Sequence, residues 1–241
     1  MKDISLLILS WKSHKTLINT LESYKNNGLL DFACEKIIFF QECSDADIEI
    51  AKQYNFDFVI GSTTNIGISE AISELVNHST KKYFLLLEND WELVCNKIDT
   101  ESRLSNGIEL LDNYNVDVVR YRHRYKYGEP NYAFGYKGRE LSGLFCILES
   151  SYWLDNPDIN FSEYIKKLNI GNDYFYTASS KNANFTNNPT MYNRENYLKI
   201  MKLYTSSNTI LEESHIHNWW NTQNYKVAQG EGLFFHNRLD R

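Results

Sequence analysis

Proline is scarce in this 241-residue chain, with 3 copies, and glycine reaches only 11. That excludes collagen-like and linker-rich architectures. Cysteine is equally sparse: Cys34, Cys43, Cys95 and Cys146 are scattered, with no CxxC pair. Neither a disulfide framework nor a structural zinc site is written in that spacing, and free thiols point to a reducing, cytoplasmic setting. No window approaches the roughly 18–20 consecutive apolar residues that cross a bilayer, so no transmembrane anchor is expected. The early apolar run at residues 4–9 lacks the basic flank and small-residue cleavage site of a secretory leader, and reads instead as a buried strand. Positive charge is also in deficit. With 25 Lys and Arg against 31 Asp and Glu, the net charge is −6, which argues against nucleic acid or anionic lipid as a partner.

What remains is the profile of a globular protein: 42% hydrophobic and 23% charged residues, with a mean hydropathy of −0.49. Aromatics are abundant at 15%, including 17 Tyr and 5 Trp. Such side chains suit stacking on bases and sugar faces as well as core packing.

The first ninety residues alternate between two periods. Apolar runs at 4–9, 36–40, 56–60 and 83–87 read as strands covered on both faces. Between them, Leu17, Leu21 and Tyr24 recur at helical spacing behind Ser13, a candidate N-cap; 45–54 reads as a short helix, and 69–77 as another. Strand and helix in alternation specify an α/β fold with a mostly parallel, helix-flanked sheet. The second half is less regular. A helix is expected over 102–114, an alternating strand over 116–127 and a strand over 141–148. Helices are expected near 161–169, 172–180, 193–204 and 211–222, with an Asn-rich loop at 181–190. With no repeat and no clean linker, one domain spanning 1–241 is expected, its halves meeting near residue 100.

Leu85-Leu86-Leu87-Glu88-Asn89-Asp90 is the strongest single feature. Two carboxylates where a buried parallel strand leaves the sheet point into the crevice where α/β folds bind ligands, and such hard oxygens suit Mn²⁺ or Mg²⁺. Acidic residues after strands are also ordinary turn formers. In 116–127, Val119, Tyr121, His123, Tyr125 and Tyr127 fall on one face and Arg120, Arg122, Arg124 and Lys126 on the other. That pattern fits a half-exposed strand, a basic face toward a diphosphate, or, against the acidic balance of the chain, a nucleic-acid surface.

Taken in order, the strand ends Ser10-Trp11 and Gln41-Glu42-Cys43-Ser44, the turn Asn65-Ile66-Gly67 and the strand end Glu88-Asn89-Asp90 resemble the nucleotide-sugar half of GT-A glycosyltransferases, most closely family 2. The resemblance covers residues 1–92. It implies a GT-A fold, with residues 1–100 binding the nucleotide sugar and 101–241 forming the acceptor-side, catalytic half. It further implies that Trp11 lies against the uracil ring, Ser10 lines the base pocket and Glu42 accepts a hydrogen bond from the base. Asn65 and Gly67 would shape the ribose and sugar edge. Asp90, flanked by Asn89, would be the principal metal and diphosphate ligand, with Glu88 on the ribose side or on metal-bound water.

A second match lies near the end of the chain, in Glu212-Glu213, Trp219-Trp220 and Phe234-Phe235-His236. By the resemblance, Glu213 is the general base and His236 the third protein ligand of the metal. The bland alternatives are first-turn acids favoured by the helix dipole and a packed histidine. Three positions depart from the family pattern: Ile72 where an Arg is frequent, Glu88 for the first Asp, and Gln41 for an acid.

The expectation is a metal-dependent enzyme, with Mn²⁺ or Mg²⁺, that passes sugar from a UDP-sugar to a hydroxyl of a glycan or protein acceptor. Transfer would be inverting if the family 2 resemblance holds, although the fold hosts retaining enzymes too. A sugar-phosphate nucleotidyltransferase would want a Gly-rich loop after the first strand, and Ser10-Trp11-Lys12-Ser13 has no glycine. A nicotinamide enzyme would want GxGxxG there. The alternative from another class is a catalytically silent protein of the same fold that binds a nucleotide sugar or glycan.

Overall fold

The computed structural model describes residues 2–126, 128, 147–150, 154–207 and 213–240. Strands β1 (Lys2–Trp11), β2 (Ala33–Gln41), β3 (Phe58–Gly61) and β4 (Tyr83–Glu88) pair in parallel, in the order β3-β2-β1-β4. Helices α1 (His14–Asn26), α2 (Leu29–Phe32), α3 (Asp45–Gln53) and α4 (Ile68–His78) connect them. The sheet then continues through β9 (Thr190–Asn193), β6 (Val118–Arg122), β10 (Lys226–His236), β8 (Asp173–Ser179) and β7 (Lys166–Ile170), with the short β5 (Trp91–Leu93) antiparallel to β10. One ten-stranded sheet, parallel through β3-β2-β1-β4 and mixed beyond it, therefore runs through both halves of the described chain.

The side-chain alternation of β1 explains why its run is apolar on both faces, interrupted only by Ser5, which is buried and donates to Glu35. Ile4, Leu6 and Ile8 pack with Leu17, Leu21 and Tyr24 of α1, Ile50 of α3 and Leu104 and Leu110 of α5 (Lys97–Asn113). Leu7 and Leu9 face the other way, toward Ala71, Ile72 and Leu75 of α4 and toward α8 (Arg194–Ser207) and α9 (Glu213–Trp220). A strand with helices on both sides has no solvent-facing side, so even Ser5 and Ser10 of β1 are buried. Two short helices, α6 (Ile147–Ser150) and α7 (Pro157–Asn160), complete the described elements.

Several expectations are corrected. The segments near 161–169 and 172–180 are not helices but the hairpin β7–β8, in which Ile170 pairs with Asp173 across Gly171-Asn172. Gly171 takes a left-handed φ of 57° at the first central position, the placement a type II′ turn demands. Residues 190–193 form β9, inserted antiparallel between β4 and β6. The expected strand 141–148 lies largely outside the described residues, and its end at Ile147 is helical.

The helix expected from 102 begins at Lys97, because the side chain of Asn96 accepts the Asp99 N–H at 3.0 Å. Ser13 does not cap α1; it is itself left-handed, and Asp240 accepts the N–H groups of Lys15 and Thr16 at 3.1 Å each.

The alternating strand is shorter than expected, ending at Arg122, and every residue of it is buried, Val119 and Tyr121 in one core cluster and Val118 in the other. Arg120 and Arg122 within the strand, and Arg124 just beyond it, find partners inside. Arg120 donates to Asn184, Arg122 lies 5.3 Å from the Trp91 ring centre, and Arg124 donates to Tyr174 Oη at 3.1 Å. They make no exposed basic face.

Candidate active site

Parallel β1, β2 and β4 open their carboxyl ends on one edge of the sheet, where open α/β sheets hold ligands. Trp11 stands opposite Gln41 and Leu9 opposite Glu88, so Ser10, Trp11, Glu42, Glu88, Asn89 and Asp90 all arrive there. The chain leaves β1 through left-handed Lys12 (φ 55°) and Ser13 (φ 59°), and β2 through left-handed Glu42 (φ 50°). Such conformations cost on the order of 1–3 kcal/mol each for these residue types and persist only where surroundings hold them. Here Asn89 Nδ2 donates to the Lys12 carbonyl at 3.2 Å, and the Cys43 N–H donates to the Ser62 carbonyl at 2.8 Å.

These turns assemble a small polar group around a half-exposed aromatic ring. Trp11 Nε1 donates to Glu42 Oε2 at 3.3 Å, and Lys12 Nζ lies 2.5 Å from the same oxygen. The hydrogen bonds from Lys12 and then Trp11 hold the Glu42 carboxyl below its ordinary range. Trp11 stays 49% exposed, with Lys12 Nζ over its ring 5.2 Å from the centroid. Ser10, by contrast, is fully buried, and its Oγ has no partner among the described residues.

Gln41 sets the turn before α4. Its Nε2 donates to the Gly67 carbonyl and its Oε1 accepts the Ile66 N–H, both at 2.9 Å. Asn65 Oδ1 accepts the Gly67 N–H, also at 2.9 Å. Gly67 needs to be glycine for its φ of 86°, not for space, since nothing lies within 4 Å of a Cβ there. A carboxylate at position 41 would have no proton for the Gly67 carbonyl, so the departure to Gln has a local structural reason. Ile72 has one as well: it is buried on the α8 side of the sheet and helps line a small surface cleft with Tyr197, Met201 and Ile216.

The second group forms where β10 returns. Between Gln229 and Phe234 the β6–β10 register slips, and this bulge lets Phe234–His236 pair with β5, setting His236 against Trp91. The two rings lie 4.6 Å apart. Gly128 bridges to His236 so closely that a Cβ on it would sit 2.0 Å from the His236 carbonyl oxygen. His236 Nε2 consequently lies 3.1 Å from Asp90 Oδ2, and the Arg238 guanidinium 2.7 Å from the same oxygen. Burial works to raise the Asp90 carboxyl, but the hydrogen bond and charge of His236, with those of Arg238, outweigh it and hold the group below its usual range. The other oxygen, Oδ1, is buried with no partner among the described residues.

Asp90 and His236, both expected to bind a metal, are thus brought together. The donor set as folded does not fit a divalent ion. Oδ2 is already engaged by two donors, Oδ1 is sealed from solvent, and an ion at Oδ2 would face the Arg238 charge. For a 2+ and a 1+ charge about 4 Å apart, that repulsion is about 8 kcal/mol at an effective dielectric of about 20. Among the described residues, no three His, Cys, Asp or Glu side chains are grouped to hold a metal. Glu88 is half-buried at the end of β4, which β9 and β6 separate from β10 in the sheet. Glu213 is the first residue of α9, and its side chain lies outside the described residues.

No family model matches the sequence, and no curated protein matches it. Solved structures do match the fold. TarS 1-349 of S. aureus in complex with UDP-GlcNAc superposes on 100% of this chain with a TM-score of 0.55 at 12% identity. The fold is GT-A-like. The chain spans 60% of that TarS chain, so the match leaves a large part of the neighbour uncovered. The TarS 1-349 complex with UDP superposes on 98% of this chain with a TM-score of 0.54. The 4-diphosphocytidyl-2C-methyl-D-erythritol synthase of Anaerococcus prevotii DSM 20548 matches 98% of this chain and 94% of its own, at 13% identity and a TM-score of 0.50.

Sequence reasoning missed Lys12, the double hydrogen bond of Gln41, and the segment after His236 that carries Arg238 and Asp240. For the last, the only signal was a pair of charged residues just beyond the final strand, which has no periodicity to read.

Proposed function

We propose that this chain is a glycosyltransferase that moves sugar from a UDP-sugar to a hydroxyl of a glycan or protein acceptor. The observation that carries the reading is the half-exposed Trp11 ring with the Glu42 carboxylate hydrogen-bonded beside it, at the carboxyl ends of parallel strands. The indole stacks on the base, a contact typically worth about 1–3 kcal/mol. Glu42, kept ionised by Lys12 and Trp11, accepts the base N–H. The turn of Asn65 and Gly67, held by Gln41, borders ribose and sugar, and Ser10 forms the floor behind the base. Glu88 and Asn89 close the crevice on the β4 side.

In the reaction, the acceptor oxygen attacks the anomeric carbon while the bond from that carbon to the diphosphate breaks. The bonding pair leaves with UDP, and Glu213 takes the hydroxyl proton. The helix start suits this role only in part, since the helix dipole favours the ionised base and lowers its basicity. One displacement of this kind inverts the anomeric centre. The Mn²⁺ or Mg²⁺ expected at Asp90 and His236 does not fit that donor set while Arg238 occupies it, so no step is assigned to an ion.

The test is UDP release from a panel of UDP-sugars with candidate acceptors. Glu213→Gln should slow release by about 10²–10⁴-fold with UDP affinity retained. Binding of UDP with no turnover by the unaltered chain would replace the enzyme with the silent binder. A second reading, nucleotidyl transfer, is favoured by the near-complete mutual coverage of the erythritol synthase. Pyrophosphate release from CTP or UTP with a sugar phosphate would establish it instead.

A further inference from the structure

We propose that Arg238 supplies the positive charge that meets the diphosphate, so that the donor site works without a divalent metal ion. The inference rests on the nucleotide-sugar reading above and concerns how that site handles charge. Asp90 is fully buried, whereas the Arg238 side chain is 44% exposed. The carboxylate therefore stands behind the guanidinium and not in front of it. A bound diphosphate at this edge would meet Arg238 before Asp90, and Asp90 would act as a positioning residue.

The guanidinium has donors to spare. It carries five N–H groups, and Asp90 Oδ2 takes its one described hydrogen bond. The remaining donors match the paired oxygens of a phosphate in number and planarity. Lys12, 64% exposed at the end of β1, offers a second charge on the same edge.

Arg238 is also held in place from both sides, as a preorganised charge must be. Before it, the Asn237 N–H donates to the Asp90 carbonyl at 2.8 Å and Asn237 Nδ2 to Glu92 Oε2 at 2.9 Å. After it, the Leu239 N–H donates to Thr16 Oγ1 at 2.9 Å, and Asp240 accepts the Lys15 and Thr16 N–H groups. The segment 237–240 thus bridges the turn after β4 and the start of α1, with the guanidinium between its anchors. As the bond to the anomeric carbon breaks, negative charge collects on the departing phosphate oxygens. Arg238 donates to them, so no ion needs to enter or leave.

The experiment is calorimetric titration of the whole chain with UDP, in EDTA and in Mn²⁺, alongside Mn²⁺ binding followed by electron paramagnetic resonance. The unaltered chain should bind UDP with the same affinity in both and leave the free Mn²⁺ signal intact. Arg238→Ala should bind UDP about tenfold or more weakly in EDTA. It should also remove free Mn²⁺ signal, because the Arg238 charge no longer opposes an ion at Asp90 Oδ2. Arg238→Lys keeps the charge but loses the planar fork, so it should bind weakly yet stay indifferent to EDTA; this variant decides the matter should the alanine variant not fold. UDP binding that EDTA abolishes and Mn²⁺ restores in the unaltered chain would overturn the inference. So would unchanged UDP affinity in a folded Arg238→Ala. Absence of UDP binding in both media would overturn the donor-site reading itself, and the inference with it.

Discussion

Gln41→Glu is a one-atom-group change whose consequence follows from the turn it holds. Gln41 is 4% exposed, and its amide donates to the Gly67 carbonyl while accepting the Ile66 N–H. Glutamate keeps the acceptor and loses the donor. At neutral pH a carboxylate oxygen would face a carbonyl oxygen across 2.9 Å, the present hydrogen-bond distance. The lost bond is worth about 1 kcal/mol and the unpaired buried acceptors a further 1–3, so a loss of about 2–4 kcal/mol is expected at pH 7.

Burial and the facing carbonyl would raise the folded-state pKa of the new carboxyl. The destabilisation is therefore complete above that raised pKa and fades as pH falls toward about 4, where the unfolded chain protonates too. A protonated Glu donates again, which returns the variant to within about 1 kcal/mol of the parent. Urea denaturation of both chains from pH 4 to pH 8 measures this, and the m-values check that the same surface unfolds. A variant within about 0.5 kcal/mol of the parent at pH 7, the range of an ordinary surface substitution, would refute the role assigned to Gln41.

Asp240→Ala removes the acceptor of two N–H groups at the start of α1 and should cost about 0.5–2 kcal/mol in a denaturant titration at pH 7. Burial tends to raise this carboxyl, but the Thr16 hydroxyl and the backbone donors hold it below its ordinary value, so its contribution is present above about pH 4 and is lost as pH falls further. His123 is lowered from 6.5 to about 4, first by burial and then by Arg103 and Lys126 against the pull of Glu231. Its neutral Nδ1 accepts the N–H groups of Tyr125 and Lys126. The unfolded chain protonates it first, so stability should fall by about 3 kcal/mol between pH 6.5 and pH 4, and His123→Gln should flatten that part of the profile relative to the parent. Gly128→Ala places a Cβ on the His236 backbone and strains a φ of 72°, so it should displace His236 and weaken UDP binding by more than about 1 kcal/mol in calorimetry.

The first half of the fold was legible because its strands are buried on both faces and its helices on one. The 4–9 run and the 3.6-residue spacing of Leu17, Leu21 and Tyr24 each admit one reading. The second half defeated the same reasoning for identifiable reasons. Tyr174, Phe175, Tyr176 and Thr177 are strand formers, and the Gly171-Asn172 hairpin signal outweighs the helical spacing read over 172–180. Arg120, Arg122 and Arg124 looked like an exposed face because sequence alternation does not report what covers a strand. Aromatic rings and carbonyls inside the protein partner them instead.

At the candidate site, the strand ends could be read in order. The pairing of Asp90 with Arg238, 148 residues later, could not. It depends on a bulge in β10 and on the pairing of a three-residue strand, and neither leaves a periodic trace.

The central claim, that this crevice holds a uridine nucleotide, is tested most directly by thermal shift of the unaltered chain and of Trp11→Ala against UDP, CDP, GDP and UDP-sugars. At about 100 times the dissociation constant a ligand adds roughly 2.7 kcal/mol of stability. The account predicts an upward shift with UDP and UDP-sugars that exceeds the others and shrinks on loss of the indole. No shift with any nucleotide, or an undiminished shift in Trp11→Ala, would contradict it.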